Sequence, residues 1–213
     1  QAHHHKRFAL EATWDGAREI DESQAWLYSP NGHAPKRVAI FGAGGIGQEL
    51  ISMLKPFGVH ITAVNRSGRA VEGADETHSL ADATSVWSEA DFIVLIMPLT
   101  EATNGLVDAA KFKAMKSSAI LVNVGRGKLV NTDDLVEALR TGEIAGAGLE
   151  VMDPEPLPDG HPLWELKNCT MTPHMGASWQ VADLHLGDIF NANARAWEEG
   201  RPLPTRVVPK AGY

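Results

Sequence analysis

Three short segments of the sequence place a basic, an acidic and an imidazole side chain beside glycine or proline. Arg126 lies in VNVGRG, Asp153 and Glu155 lie in EVMDPEPLP, and His174 lies in TMTPHMGAS. A guanidinium can hold a carboxylate through two parallel hydrogen bonds, and an imidazolium can give a proton to a carbonyl oxygen. A nearby carboxylate would orient the imidazole and favour its charged form. The trio suits reduction of a 2-keto acid, although each residue alone is also compatible with a solvated loop or a helix cap.

A glycine-rich turn indicates a second kind of chemistry, the binding of phosphates. Gly42, Gly44 and Gly47 have the G-x-G-x-x-G spacing, between a strand-like apolar run and a segment with helical periodicity. The first glycine makes the tight turn, the second lets the backbone approach a pyrophosphate, and the third lets the helix lie close to the strand. The free N–H groups of the helix N-terminus attract the phosphates. The pattern predicts a dinucleotide site.

The segment AVNRSGR, residues 63 to 69, follows the second strand, where NAD-binding units usually present Asp or Glu to the ribose. Asn65 would not repel a phosphate. Arg66 and Arg69, with the Ser67 hydroxyl between them, are suited to a 2′-phosphate. We therefore expect NADP(H) to be favoured over NAD(H), unless both arginines are only solvated surface charges.

The elements that must position these residues alternate between strands and helices. Strands are predicted at 37–41, 60–64, 92–97, 119–124, 144–151 and 169–172, and helices at 46–55, 80–88, 108–115 and 132–141, the last with Thr132 as its N-cap. This order predicts an α/β fold with a doubly wound parallel sheet and the apolar strand 92–97 at its centre. Parallel strands end at one edge, so the basic, acidic and imidazole loops should emerge on the same side.

The two ends of the chain fit this sheet less well. Residues 1 to 35 carry scattered large apolar side chains that are too few for a core of their own. The segment 180–197 is predicted to form a long helix that is apolar around much of its circumference and is therefore covered on several sides. Both ends look like pieces of a second domain or of a dimer contact.

Composition narrows the possible partners of the protein. The net charge is −8, from 27 acidic against 19 basic residues, and no basic block favours nucleic acid. No apolar run approaches the roughly 20 residues of a membrane span. The single Cys169 cannot form a disulfide within the chain, which fits a cytoplasmic protein. No metal site is predicted, and His3, His4 and His5 are interpreted as a polar helix face. A small molecule is the expected partner.

Longer segments carry a resemblance to a known family. From residue 37 to the C-terminus, the order and spacing of seven segments resemble those of the D-isomer-specific 2-hydroxyacid dehydrogenases. The segments are GAGGIG, LKPFGV, MPLTEATNGLV, VNVGRG, EVMDPEPLP, HPLWELKNCTMTPHMGAS and EEGRPLP. Within the family the chain looks most like the glyoxylate/hydroxypyruvate reductases. The resemblance implies a Rossmann-type domain, hydride transfer between NAD(P)H and a small 2-keto or 2-hydroxy acid, and a homodimer.

The resemblance also implies roles for individual residues. Arg126 matches the substrate-binding arginine, Glu155, rather than Asp153, matches the catalytic acid, and His174 matches the acid/base histidine. Trp14 matches a tryptophan that reaches the pocket of the partner subunit, with a packing role as the alternative. The implied cofactor-binding residues are Gly42, Gly44, Gly45, Ile46, Gly47, Asn65, Arg66, Ser67, Met97, Pro98, Leu99, Thr103, Val124, Gly125, Arg126, Glu150, His174 and Gly176, with Thr100 shaping the same edge.

Two departures from the family qualify this assignment. Glu150 stands where the family usually has an aspartate, which leaves the contact to the nicotinamide carboxamide open. Only about 35 residues precede the glycine turn, where the family has most of a substrate domain. We accordingly expect an arm and crossing helix in residues 1–35, a dinucleotide-binding domain in 36–178, and a crossing helix and tail in 179–213.

We therefore interpret the chain as a fragment that binds dinucleotide but reduces 2-keto acids poorly or not at all. Two alternatives remain: a dinucleotide-sensing, corepressor-like interaction protein, and a formate or phosphite dehydrogenase.

Overall fold

The computed structural model describes residues 35–176 and 179–206. They fall into two compact units, one that ends at Met171 and one that begins at Thr172. Trp14 lies outside the described residues, as does the predicted N-terminal arm of residues 1–35 except for its last residue.

The first unit is built on a seven-stranded sheet in which every strand pair is parallel. The strand order is β3-β2-β1-β4-β5-β6-β7, so the chain winds outward from β1 in both directions. The strands are β1 Arg37–Phe41, β2 His60–Asn65, β3 Glu76–Ser79, β4 Phe92–Leu95, β5 Ile120–Asn123, β6 Gly146–Leu149 and β7 Cys169–Met171. The doubly wound parallel sheet is confirmed, and the apolar strand β4 lies at its centre as predicted.

Helices connect the strands. In the first unit they are α1 Gly45–Leu54, α2 Thr84–Glu89, α3 Ala109–Ala114 and α4 Thr132–Thr141, with 3-10 turns at Lys55–Phe57, Gly127–Leu129 and Pro162–Trp164. The second unit contains α5 Trp179–Glu198. Among the described residues, no helix has both the length and the apolar character needed to cross a membrane.

Both faces of the sheet are buried, as side-chain alternation along β1 shows. Val38 and Ile40 belong to one apolar cluster, whereas Ala39 and Phe41 belong to the other. Phe41 stacks on Trp87 of α2 with ring centroids 4.3 Å apart. Because successive residues of a strand point to opposite faces, this pattern is that of a strand covered on both sides.

Four local predictions require correction. The strand β3 was not predicted, because Glu-Thr-His-Ser has no apolar alternation. The helix predicted to begin at residue 80 begins at Thr84. The N-cap of α4 is Asn131, whose Oδ1 accepts the N–H of Asp134 at 3.1 Å, and the predicted cap Thr132 is the first helical residue. Strands β4 to β7 are shorter than predicted, because their last residues turn into the edge loops and because β5 and β6 also begin one and two residues later.

The helix α5 has large apolar side chains in solvent. Leu186, Ile189, Phe190 and Trp197 are between 43% and 77% exposed. The helix was predicted to be buried on several sides. The described part of the chain does not bury these four side chains.

Candidate active site

The loops that carry the predicted site residues of the first unit follow the carboxyl ends of the strands. Backbone hydrogen bonds continue from strand to strand into these loops: Gly42 N–H donates to Val64 O at 2.8 Å, Val124 N–H to Leu95 O at 3.1 Å, and Glu150 N–H to Asn123 O at 3.0 Å. The start of each loop is thus held by its neighbour. The predicted convergence of these loops at one sheet edge is what the topology produces.

The glycine turn has the geometry that a dinucleotide requires. A methyl group at Gly42, where φ is +109°, would lie 2.6 Å from the backbone nitrogen of Met97, and one at Gly47 would lie 2.2 Å from the oxygen of Gly42. Both positions therefore need glycine to bring strand, helix and edge loop together. Gly44 and Gly45 face open space with nothing within 4 Å of such a methyl group, which leaves room for a pyrophosphate.

The N-terminus of α1 is electrostatically suited to phosphate. Its N-cap Gly44 provides no side-chain hydrogen bond, and its first turn contains no acidic residue. By contrast, Asp108 caps α3, and α4 has Asn131 as its cap with Asp133 and Asp134 in its first turn. The N–H groups and partial positive charge of α1 thus have no protein anion in the first turn, in contrast to α4.

The loop after β2 folds around the side chain of Asn65. Its Oδ1 accepts the backbone N–H of Ser67 at 3.0 Å and lies 3.3 Å from the Ser67 hydroxyl, and its Nδ2 donates to the carbonyl of Arg69 at 2.7 Å. Arg66, Ser67 and Arg69 are exposed. Asn65 therefore acts as a brace that closes the loop, and the two basic side chains and the serine remain accessible to a ligand.

The loop after β4 holds the predicted nicotinamide-side residues in a compact turn. Met97 is buried, Leu99 is half-buried and Pro98 is exposed. The hydroxyl of Thr103 donates to Pro98 O at 2.9 Å and accepts the N–H of Thr100 at 2.8 Å. Thr103 thus shapes this edge through the backbone of its own loop.

The turn that carries Arg126 is fixed by Asn123, which sequence reasoning did not single out. Asn123 is 1% exposed; its Oδ1 accepts the N–H of Gly125 at 3.1 Å and its Nδ2 donates to Arg126 O at 2.9 Å. The exposed Arg126 donates through a guanidinium N–H to Gly125 O at 2.7 Å, and Val124 beside it is 40% exposed. The sequence feature that could have identified Asn123 is its position as a polar residue at the end of an otherwise apolar strand.

The acidic loop after β6 lies next to this turn. Glu155 is exposed, with its Oε2 3.5 Å from the backbone nitrogen of Met152. The hydroxyl of Thr132 at the start of α4 donates to Asp153 O at 2.6 Å and ties the loop down. Glu150 is half-buried at the head of the loop.

His174 belongs to the second unit, together with Gly176. Both residues are exposed. His174 has φ +50° and donates its backbone N–H to Thr172 O at 3.0 Å. It is the one non-glycine residue with positive φ in the described ranges. Such a conformation costs energy for a side chain of this kind and is often found at functional sites.

A polar cavity of about 520 Å³ opens beside α4 and is separate from the predicted cofactor residues, none of which lines it. Its charged and imidazole lining residues are Lys128, Asp133, Asp153 and His161. Within the described ranges, no group of three or more His, Cys, Asp or Glu side chains is placed to hold a metal ion. The glycine turn and its neighbours therefore form an open edge instead of sharing this cavity.

Comparison with known proteins agrees with this geometry. The model of the D-isomer specific 2-hydroxyacid dehydrogenase NAD binding domain matches residues 3–176. The chain belongs to this family. An uncharacterized protein of Corynebacterium melassecola is 50% identical over 213 residues, which is 100% of this chain and 68% of that protein. Human glyoxylate reductase/hydroxypyruvate reductase is 40% identical over 171 residues, 80% of this chain and 52% of the enzyme.

A solved structure extends the comparison to three dimensions. The NADPH-dependent glyoxylate/hydroxypyruvate reductase of Sinorhizobium meliloti, in complex with NADP and sulfate, superposes with a TM-score of 0.83 at 30% identity. The match covers 100% of this chain and 65% of the reductase. The chain thus spans about half to two thirds of the length of the relatives that it matches, and it corresponds to an NAD-binding domain of the family.

Proposed function

We propose that the protein containing this chain reduces small 2-keto acids with NAD(P)H, in the manner of glyoxylate/hydroxypyruvate reductases. The observation that carries this proposal is the braced Arg126 turn, which lies at the same sheet edge as the glycine turn and beside the Glu155 loop. Family membership and the named relatives support it.

The proposed roles follow from side-chain chemistry. The Arg126 guanidinium binds the substrate carboxylate, and His174 donates a proton to the carbonyl oxygen as the carbonyl carbon is reduced. Glu155 is proposed as the catalytic acid that the family resemblance implies, because a carboxylate can orient a histidine imidazole through a hydrogen bond. A bound NAD(P)H would supply the hydride from its nicotinamide ring, and the open glycine turn and the acid-free first turn of α1 would hold its phosphates.

The test is a spectrophotometric assay of the complete protein with glyoxylate, hydroxypyruvate and larger 2-keto acids. Arg126→Ala should lower kcat/KM by about 10- to 100-fold, because a charge-assisted hydrogen bond to substrate is worth roughly 1.5–3 kcal/mol. Arg140→Ala, at an exposed arginine of α4, is the matched control and should leave kcat/KM unchanged. Silence with every keto acid would favour the dinucleotide-sensing alternative, and oxidation of formate or phosphite alone would move the assignment to those dehydrogenases.

We further propose that NADP(H) is preferred over NAD(H). The exposed Arg66, Ser67 and Arg69 on the Asn65-braced loop support this preference, and the Sinorhizobium relative is NADPH-dependent. Replacing both arginines by alanine should weaken NADPH binding by about 10- to 100-fold and leave NADH binding unchanged, since only NADPH carries the 2′-phosphate. Nicotinamide fluorescence titrations give both dissociation constants. Equal or tighter binding of NADH by the unmodified protein would contradict the preference.

A homodimer is the proposed assembly, supported by the family resemblance. Size-exclusion chromatography with light scattering on the complete protein tests this assembly, and a monomeric mass at micromolar concentration would exclude it.

A further inference from the structure

The turn that carries Arg126 and the loop that carries Glu155 meet through their backbones at Gly127. A methyl group at Gly127 would lie 1.9 Å from the carbonyl oxygen of Met152 and 2.7 Å from the nitrogen of Asp153. Its φ is outside the left-handed range. Glycine is therefore required at this position because the two segments approach closely, and not because the backbone angle is unusual.

Further hydrogen bonds hold each of the two segments in place. On the arginine side, the buried Asn123 donates to Arg126 O at 2.9 Å. On the acidic side, the Thr132 hydroxyl donates to Asp153 O at 2.6 Å. Neither segment can yield freely, so the contact at Gly127 determines the distance between them.

We infer that Gly127 is a positioning residue that sets the separation between the Arg126 turn and the Glu155 loop. This inference rests on the proposed reductase function. Real Cβ contacts essentially never fall below 3.0 Å, so an alanine at position 127 must push the two segments apart by about 1 Å. A displacement of about 1 Å at reacting groups costs on the order of 100-fold in rate.

The experiment compares Gly127→Ala with Gly148→Ala in the complete protein. Gly148 lies in β6 of the same sheet, and a methyl group there would make an ordinary contact of 3.8 Å with Val122 Cγ2. We expect G127A to lower kcat/KM for glyoxylate about 100-fold, with both a lower kcat and a higher KM, because the displacement affects the acid loop and the carboxylate-binding arginine together. The NADPH dissociation constant should stay unchanged in G148A and should change much less than kcat/KM in G127A, because the glycine turn at Gly42–Gly47 lies outside the displaced segments.

A crystal structure of G127A supplies a readout that is independent of activity. The backbone separation between residues 127 and 152 should widen by about 1 Å relative to wild type. If G127A does not fold, Thr132→Val removes only the hydroxyl tether to Asp153 O. It should then shift kcat and KM in the same directions by a smaller factor.

Three results would overturn the inference: an unchanged separation in G127A, a widened separation with unchanged kcat/KM, or an equal loss of kcat/KM in G148A. A wild-type protein that binds NADPH but reduces no 2-keto acid would instead refute the proposed function. In that case the measured separation alone decides whether Gly127 spaces the two segments.

Discussion

At the scale of single residues, the side-chain amide of Asn65 closes the loop that carries Arg66, Ser67 and Arg69. Its oxygen and nitrogen are both used within the loop, toward Ser67 and the carbonyl of Arg69. An aspartate in its place would keep the acceptor and lose the donor. The Arg69 carbonyl would then face a carboxylate, and the loop would lose the bond that closes it.

The hydrogen bonds of Asn65 predict the behaviour of Asn65→Asp. NADPH binding should weaken by at least about 10-fold, because the carboxylate repels the 2′-phosphate and the loop loses its brace. NADH binding should improve, because a carboxylate accepts from the ribose hydroxyls. Asn65→Ala is the control: it loses the brace without gaining charge and should weaken NADPH while leaving NADH unimproved. If fluorescence titration finds NADPH affinity intact in both variants, Asn65 does not position the loop.

The sequence indicated which residue types would lie at the site but not how their side chains would be used. Asn65 and Thr103 were interpreted as cofactor-binding residues, and Asn123 was not interpreted at all. In the structure, all three side chains make hydrogen bonds to backbone groups two to five residues away. Whether such a side chain faces its own loop or a ligand depends on local backbone geometry, which residue identity and spacing do not specify.

At the scale of elements, prediction succeeded where periodicity was strong. The bounds of β1 and α4 are as predicted, since β1 is apolar from Val38 to Phe41 and α4 has a helical apolar stripe between polar residues. β3 was missed because its residues, Glu76 to Ser79, are all polar. This edge strand is specified by backbone pairing with β2 and by ion pairs, which sequence periodicity does not report.

Glu76 links β3 to its neighbours and gives a prediction about pH. Its carboxylate lies 3.1 Å from His60 Nε2, 3.6 Å from His78 Nε2 and 3.4 Å from an Arg37 guanidinium nitrogen. Partial burial raises the pKa of Glu76, but the hydrogen bond from His78 and the charges of Arg37 and His60 outweigh it and lower that pKa below its ordinary value. The stabilisation is therefore fully present above the unfolded-state pKa and is lost as pH falls through the folded-state pKa.

Urea unfolding of Glu76→Gln at pH 7 and pH 3 measures this contribution. At pH 7 the variant should be less stable than wild type by about 0.2–1 kcal/mol, a small value because the Glu76 side chain is 43% exposed. At pH 3 the difference should be smaller, because the carboxylate becomes protonated as the pH falls toward the lowered folded-state pKa. Glu72→Gln, at an exposed acid with no ion pair among the described residues, is the matched control and should change stability at neither pH. A deficit for E76Q that is undiminished at pH 3 would assign the effect to packing instead of charge.

At the scale of the whole molecule, binding and turnover should separate in this 213-residue chain. It contains the open glycine turn, the braced basic loop and Arg126, so it should bind NADPH. It spans 52% of the human reductase and 65% of the Sinorhizobium reductase, and apolar side chains of α5 lie in solvent.

Those observations predict poor catalysis by the isolated chain. Hydride transfer needs a site that excludes water and holds the keto acid against the nicotinamide, and misplacement of about 1 Å costs on the order of 100-fold. We therefore expect the chain to bind NADPH, measured by fluorescence titration, and to reduce glyoxylate at least about 100-fold more slowly than a full-length relative assayed in parallel. Turnover equal to that of the relative would mean that these residues form a closed site by themselves. If the chain loses both glyoxylate reduction and NADPH binding, the edge loops require additional residues outside this chain to adopt the geometry described for them.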